Sequence, residues 1–200
     1  MGMGKRVFDL VVALGGLAVF GLPMLAIALW VRLDSPGPVF FRQERVGQGG
    51  RPFRIHKFRT MSADAPARGP ALTVGADPRI TRAGAWLRRS KLDELPQLLD
   101  VLAGHMSIVG PRPEVPQYVA LYPAGLREQV LSVRPGITDP VSLRLADESE
   151  LLAKAADPER EYREVILPAK LREAAAYAER ATLWSDIVII GRTLALLARR

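Results

Sequence analysis

The sequence predicts an α+β chain that is mainly helical. Its expected parts are an N-terminal re-entrant membrane helix hairpin, a small basic β-hairpin, a helix opening on a carboxylate pair, and C-terminal amphipathic interfacial helices. Three observations carry this. Leu10 to Val31 is a run of 22 residues without one charged or strongly polar side chain. Phe53 and Ile55 alternate with Arg54 and His56, the period of a half-buried strand. Leu183, Ile187, Ile190, Leu194 and Leu197 recur at spacings of four, three, four and three, the period of an amphipathic helix.

Taken in order, the apolar run comes first. A helix of that length extends roughly 33 Å, enough to cross a bilayer. Pro23 lies near its middle, supplies no N–H to the carbonyl of Val19, and follows Gly15, Gly16 and Gly21, so a bend is expected there. Each arm is then about half the hydrocarbon thickness, and the segment can enter one leaflet and return. Lys5 and Arg6 precede the run and Arg32, Arg42 and Arg45 follow it, which favours both ends on the cytoplasmic face. A straight anchor, a signal peptide and a buried core helix are the competing readings.

Ser35-Pro36-Gly37-Pro38 ends the helix. Val39-Phe40-Phe41 and residues 52–59 read as two basic strands joined by the turn Val46 to Gly50, whose glycines lack the Lys-Ser/Thr sequel of a Walker-type phosphate loop. Residues 62–78 read as a loop and 79–87 as a turn with a short helix. Asp93 is expected to cap a helix with Pro96 in its first turn, Leu98, Leu99 and Leu102 on its buried face and Gly104 as its stop. Met106 to Val109 reads as a strand and Gly110-Pro111-Arg112-Pro113 as a stiff loop. Asp157 opens a further helix that Pro168 breaks or kinks, Lys170 to Arg180 is helical, and the last amphipathic helix either packs on the core or lies in the membrane interface.

Composition bounds the chemistry. The chain has 200 residues, 48% of them hydrophobic, and 28 Lys plus Arg against 21 Asp plus Glu, for a net charge of +7. One domain with a short membrane appendage accounts for this, divided as 1–34 and 35–200. The absence of cysteine excludes disulfide frameworks, zinc ribbons, thiol nucleophiles and iron–sulfur clusters, and the two histidines, His56 and His105, do not make a histidine-rich metal site. Carboxylates and basic groups are left to do the work. Arg79, Arg82, Arg88, Arg89, Lys91 and Arg112 gather in sequence around the adjacent Asp93 and Glu94. Carboxylates among cations at a helix start stay ionised, can hold Mg²⁺, and can attack phosphorus, while the arginines attract phosphate. Plain helix capping with a solvated basic face explains the same residues without chemistry.

The strings SPGPVFFRQERVG, PFRIHKFRTM, DPRITRAGAWLRRSKLDELPQL, MSIVGPRPE and RPGIT, in this order, resemble the bacterial sugar transferase family, the small monotopic phosphoglycosyl transferases. The resemblance is strong from about Lys5 to Thr138 and looser through the C-terminal helices. It implies a membrane enzyme on the cytoplasmic face of the bacterial inner membrane that moves a phospho-sugar from a UDP-sugar to a polyprenol phosphate such as undecaprenyl phosphate. UMP is released, in the first membrane step of glycan assembly ahead of downstream glycosyltransferases.

The family's dyad falls on Asp93 and Glu94, with Asp93 as nucleophile and Glu94 as metal ligand or base. Arg88, Arg112, Lys57 and Arg59 fall at phosphate-contacting positions, Mg²⁺ is the implied cofactor, held by Asp93 and Glu94, and the membrane helix is implied to break near Pro23. A lipid surface and a diphosphate, and no nucleic acid, are the implied partners of the basic excess. Three departures stand out: His105 where an acid is frequent, Asp100 where Asn is frequent, and Asp139-Pro140-Val141-Ser142 after Gly136-Ile137-Thr138. The chain also reads as a minimal form, without the extra N-terminal membrane helices of larger relatives.

Overall fold

A computed structural model describes residues 2–69, 73–75, 77–144 and 148–199. The architecture is mainly helical with two small two-stranded sheets, one antiparallel and one parallel. Helix α1 (Met3–Asp34) is followed by β1 (Phe40–Val46) and β2 (Pro52–Phe58), then α2 (Arg82–Ser90), a 3-10 turn at Leu92–Glu94, and α3 (Gln97–Leu102). Strand β3 (Ser107–Val109), α4 (Pro116–Val119), α5 (Ala124–Leu131), β4 (Gly136–Thr138), α6 (Pro140–Arg144), α7 (Glu148–Ala153) and α8 (Pro158–Glu161) come next. A π-helical stretch at Tyr162–Ile166 leads into α9 (Leu167–Arg180), and α10 (Leu183–Ala198) follows.

Helix α1 is assigned without interruption through Pro23. One missing N–H removes one hydrogen bond, and the turns on either side stay bonded, so the proline does not end the helix. By length and composition the helix can cross a membrane, and 17% of its most apolar window is buried. Its two ends pack on the same body. Ala13 joins Leu98, Val101 and Met106, while Ile27 and Val31 join Phe58 and Leu87. Between them Val19, Leu22 and Leu25 are exposed.

The flanking charges are not free. Lys5 is buried and its ammonium lies 2.5 Å from Asp186 Oδ2 and 3.7 Å from Asp9 Oδ1. Asp186 also accepts from the Tyr177 hydroxyl (2.6 Å), and Asp9 accepts from the Ser107 hydroxyl and the Ile108 N–H. Buried ions persist only when paired and hydrogen-bonded, and this network meets that condition while joining α1, α9, α10 and β3. Arg6 donates to the carbonyls of Val101 and Leu102 at the end of α3, satisfying acceptors that a helix terminus leaves open.

The basic β-hairpin is present, with Phe41 opposite Lys57 and Val46 opposite Pro52. Asp157 caps α8 through the Arg160 N–H, and the disturbance expected at Pro168 takes the form of the wider π turn directly before it. One expectation is corrected. Asp93 is not a helix cap: it sits inside the 3-10 turn, and Pro96 precedes α3 without a side-chain cap. On α10 the core-facing line is Asp186 and Ile189, whereas Leu183, Ile187 and Leu194 of the apolar stripe are exposed. Burying the Lys5 partner turns the helix so that most of its apolar stripe faces outward.

Candidate active site

The carboxylate pair is placed by a local reversal. Helix α2 starts on the Thr81 side chain, which accepts from the Gly84 N–H, and ends at Lys91, whose φ of 58° is left-handed. A non-glycine residue there is held at a cost of about 1 kcal/mol or more. The turn swings the next three residues into the 3-10 turn, so that Asp93 points inward and is 5% exposed. Gly84 permits this docking, since a Cβ on it would meet the Thr60 carbonyl oxygen at 2.0 Å.

Strand β2 brings Lys57 against the pair: its Nζ is 3.3 Å from Asp93 Oδ2 and 2.9 Å from Glu94 Oε1. Arg112 grips Glu94 with both ends of its guanidinium, at 2.5 Å to Oε1 and 3.2 Å to Oε2, a bidentate and charge-assisted arrangement. Asp93 Oδ1 is buried and has no hydrogen-bond partner among the described residues. Burial acts to raise the Glu94 pKa, but Arg112 and Lys57 outweigh it and hold this carboxyl well below the usual range. Glu94 in turn raises Arg112. Arg88 borders the site, its Nε donating to the Thr60 hydroxyl (2.8 Å); burial lowers its pKa and the charge of Asp93 opposes that.

Arg112 is aimed by a glycine pair. Strands β3 and β4 run parallel, and the Gly110 N–H donates to the Thr138 carbonyl while the Gly136 N–H donates to that of Pro111. A Cβ on Gly136 would lie 2.1 Å from the Gly110 nitrogen. The two motifs around residues 107–113 and 134–138 are therefore one unit.

A family described as Bacterial sugar transferase matches residues 1–200. The chain belongs to the bacterial sugar transferase family. Over 95% of its length it is 37% identical to the Caulobacter vibrioides UDP-glucose:undecaprenyl-phosphate glucose-1-phosphate transferase, covering 68% of that protein. It is likewise 37% identical over 95% of its length to the Aeromonas hydrophila UDP-N-acetylgalactosamine-undecaprenyl-phosphate N-acetylgalactosaminephosphotransferase, of which it spans 42%. Over 54% of the chain it is 53% identical to the exopolysaccharide production protein PSS of Rhizobium leguminosarum bv. phaseoli, again covering 54% of the relative. The chain thus spans about half the length of the last two relatives.

Within this sugar transferase the expected residues divide. Asp93, Glu94, Lys57 and Arg112 come together, with Arg88 beside them. Arg59 does not: its guanidinium donates to the carbonyls of Pro36, Ser35 and Val31 at the end of α1. Burial holds its pKa down, and its part is to close the helix terminus rather than to face a phosphate. Arg79 pairs with Asp77, and Arg82 and Arg89 are exposed. Pro23 is exposed within α1.

Thr60, which holds Arg88, was not anticipated, although its place in the Phe58-Arg59-Thr60-Met61 string marked it. Asp100, one of the departures, accepts from both the backbone N–H and the ring Nδ1 of His56 (2.8 and 2.7 Å), fastening β2 to α3. His105 stacks on Phe53 at 5.7 Å between centroids.

Proposed function

We propose that this sugar transferase moves a phospho-sugar from a UDP-sugar to a polyprenol phosphate through a covalent intermediate on Asp93, releasing UMP. The observation that carries the reading is the unpartnered, buried Asp93 Oδ1 beside a lattice of Lys57, Glu94 and Arg112. A carboxylate oxygen that no protein group hydrogen-bonds keeps its lone pairs for attack. Asp93 Oδ1 forms a bond to the β-phosphorus, the bond to the bridging oxygen breaks, and UMP leaves with that electron pair. A phosphate oxygen of the polyprenol phosphate then bonds to the same phosphorus, and the Asp93–phosphorus bond breaks to restore the carboxylate. Lys57, Arg88 and Arg112 supply positive charge where oxygens gain it.

Mg²⁺ commonly takes one or two carboxylates and completes its shell with water and substrate phosphates. The donor set here fits that habit: Asp93 and Glu94 converge on one cationic centre, the Lys57 ammonium, and Asp93 keeps one oxygen open. Among the described residues no group of three or more His, Cys, Asp or Glu could hold a metal, so the diphosphate would have to share it. Bound there, Mg²⁺ would neutralise charge on the leaving UMP. A carboxyl held well below its usual range is a weak base, which supports Glu94 as charge holder and metal ligand rather than proton acceptor.

The same reading gives residues 1–34 the part of a re-entrant membrane element on the cytoplasmic face of the inner membrane, with 35–200 as the catalytic unit. Its support is that both ends of α1 pack on one body while the middle exposes apolar side chains. Trp30 and Trp86, 5.4 Å apart, and the exposed Trp184 suit the headgroup region. The chain has no cysteine, so single cysteines at Gly4 and Ser35 can be read cleanly. Both are expected to label from the cytoplasmic side; labelling from opposite sides would establish a straight span.

The test of the reaction is a panel of UDP-sugars with undecaprenyl phosphate. UMP and a lipid-linked diphospho-sugar are expected in equal amounts from at least one donor. UMP without lipid product would make the protein a hydrolase instead.

A further inference from the structure

The loop that carries Arg112 is fixed at both ends. Before the arginine, the Pro111 carbonyl accepts from the Gly136 N–H. After it, β1 takes hold: the Val46 N–H donates to the Glu114 carbonyl (2.9 Å) and Arg45 Nη1 donates to that of Pro113 (2.9 Å). The Glu114 side chain, 12% exposed, is met from three directions. The Tyr162 hydroxyl donates to its Oε1 at 2.6 Å, the Lys170 ammonium is 3.8 Å from the same oxygen, and Arg45 Nη1 is 3.8 Å from Oε2. Tyr162 opens the π-helical stretch, a distortion that recurs at functional sites. Its ring is 4.7 Å from that of Tyr118 and lies under the Lys170 ammonium at 4.9 Å, which leaves the hydroxyl little freedom to turn away from Glu114. Burial and the charge of Glu114 hold the Tyr162 pKa up, so the hydroxyl keeps its proton for that bond.

We propose that Glu114 is a positioning residue for Arg112: clamped by Arg45, Tyr162 and Lys170, it sets the loop so that the guanidinium lies on Glu94. This role presupposes Arg112 and Glu94 as parts of the transferase site. Arg112 feels the carboxylates of Glu94, Asp139 and Glu114, yet its side-chain hydrogen bonds among the described residues go to Glu94. A Glu114 with open lone pairs, two residues along the same loop, would compete for that guanidinium. Donors from β1 and from the C-terminal helices engage it instead, and Arg112 is left to Glu94. Glu114 also stands among cations. Arg45 and Arg112 repel each other, and without the negative charge close to both, that repulsion would act unopposed on the loop. An arginine that is to meet a diphosphate gains from being held beforehand, since less ordering is left to the binding step. Tyr162 and Lys170 lie outside the motif strings, so the clamp joins the C-terminal helices to the site without their touching it.

The test is UMP release by the full chain with its active UDP-sugar donor and undecaprenyl phosphate, for Glu114→Gln and Tyr162→Phe, each made alone and together with Arg112→Met. Glu114→Gln is expected to lower kcat/KM about tenfold or more, and Tyr162→Phe about threefold or more. In the Arg112→Met background both losses are expected to shrink to within about twofold, because a positioning residue has nothing left to position. A residue that only supports the fold would cost the same factor in both backgrounds. That result, or full activity in either single variant, would overturn the role. Tyr162→Phe removes one hydroxyl and leaves the charges of the loop in place, so it decides the matter if Glu114→Gln does not fold. A second measurement needs no turnover. The coupling between Arg112 and Glu94 is read from the denaturation midpoints of Arg112→Met, Glu94→Gln and the double variant, first with Tyr162 intact and then in Tyr162→Phe. It is expected to fall by about half or more when the hydroxyl is gone. An unchanged coupling overturns the positioning role, and a reduced one supports it even if no UDP-sugar proves to be a substrate.

Discussion

Asp93→Asn loses at least about a thousandfold of UMP release, the scale on which loss of a nucleophile is felt. The substitution keeps the shape of the side chain and the 3-10 turn that carries it. It removes the negative charge and with it the proposed nucleophile, because an amide oxygen donates its electrons poorly. The remaining lattice survives, since Glu94 keeps its bonds to Arg112 and Lys57. Folding is accordingly expected to be close to the wild type, and the activity loss cannot be assigned to unfolding. Acid-quenched wild type incubated with donor alone is expected to carry one phospho-sugar on the peptide containing Asp93, and the Asn variant none. UMP release that persists in Asp93→Asn would remove Asp93 from its role and leave the lattice as a binding device only.

The second large effect is expected at a residue that has no side chain. In Gly136→Ala the new methyl would lie 2.1 Å from the Gly110 nitrogen and 2.5 Å from its carbonyl oxygen. Both are backbone atoms and cannot rotate away, so the parallel pairing of β3 and β4 has to open. Three backbone hydrogen bonds go with it: Ser107 to Pro135, Gly110 to Thr138, and Gly136 to Pro111. A loss of about 3–5 kcal/mol is expected, within the range of overpacking combined with broken buried bonds. Whatever protein remains folded should also be less active, because Arg112 follows Gly110 by two residues. Gly125→Ala is the control. Nothing lies within 4 Å of a Cβ there, and the residue is inside α5, so the change is expected to stabilise by about 0.5–1 kcal/mol. Denaturant titration by tryptophan fluorescence separates the two; a Gly136→Ala protein as stable as the wild type would show that the strands tolerate a side chain between them.

How much of this was legible in the chain depends on whether the deciding partner is near in sequence. The β-hairpin was, because alternation and a glycine turn are local, and Asp157 as a cap was, because its acceptor role reaches only three residues on. Lys57, Asp93, Glu94 and Arg112 were named, with Arg88 and Arg59, through the motif strings, and these four meet through close ion pairs. Arg59 stands two residues from Lys57 on the same strand side and looked equivalent. Its fate was decided by where α1 ends, which no pattern around Arg59 contains.

Strand β4 is three residues long, too short for any period, and is a strand only because β3 lies beside it. The outward turn of α10 was hidden for a related reason. Hydrophobic spacing puts Leu183 and Ile187 on one stripe and leaves open whether that stripe meets the core or the membrane interface; the buried ammonium of Lys5 requires Asp186 inside, and the ion pair sets the rotation of the helix. Asp93 was misplaced by one local rule. An acid before Pro96 reads as a cap, and only the left-handed Lys91 makes it part of a tight turn instead.

The tie between Lys5 and Asp186 spans 181 residues and so orders events in time. Chains are made at about 5–20 residues per second, so a ribosome needs roughly 10–40 s between the two. Throughout that interval Lys5 has no Asp186 to meet. It stands at the head of an apolar helix with Asp9, one turn on, as its carboxylate neighbour. Once α10 emerges, the same ammonium leaves water and becomes part of the interior. One lysine, a free charge beside the apolar helix while the chain is being made, thus becomes the clasp between the two ends of the finished protein.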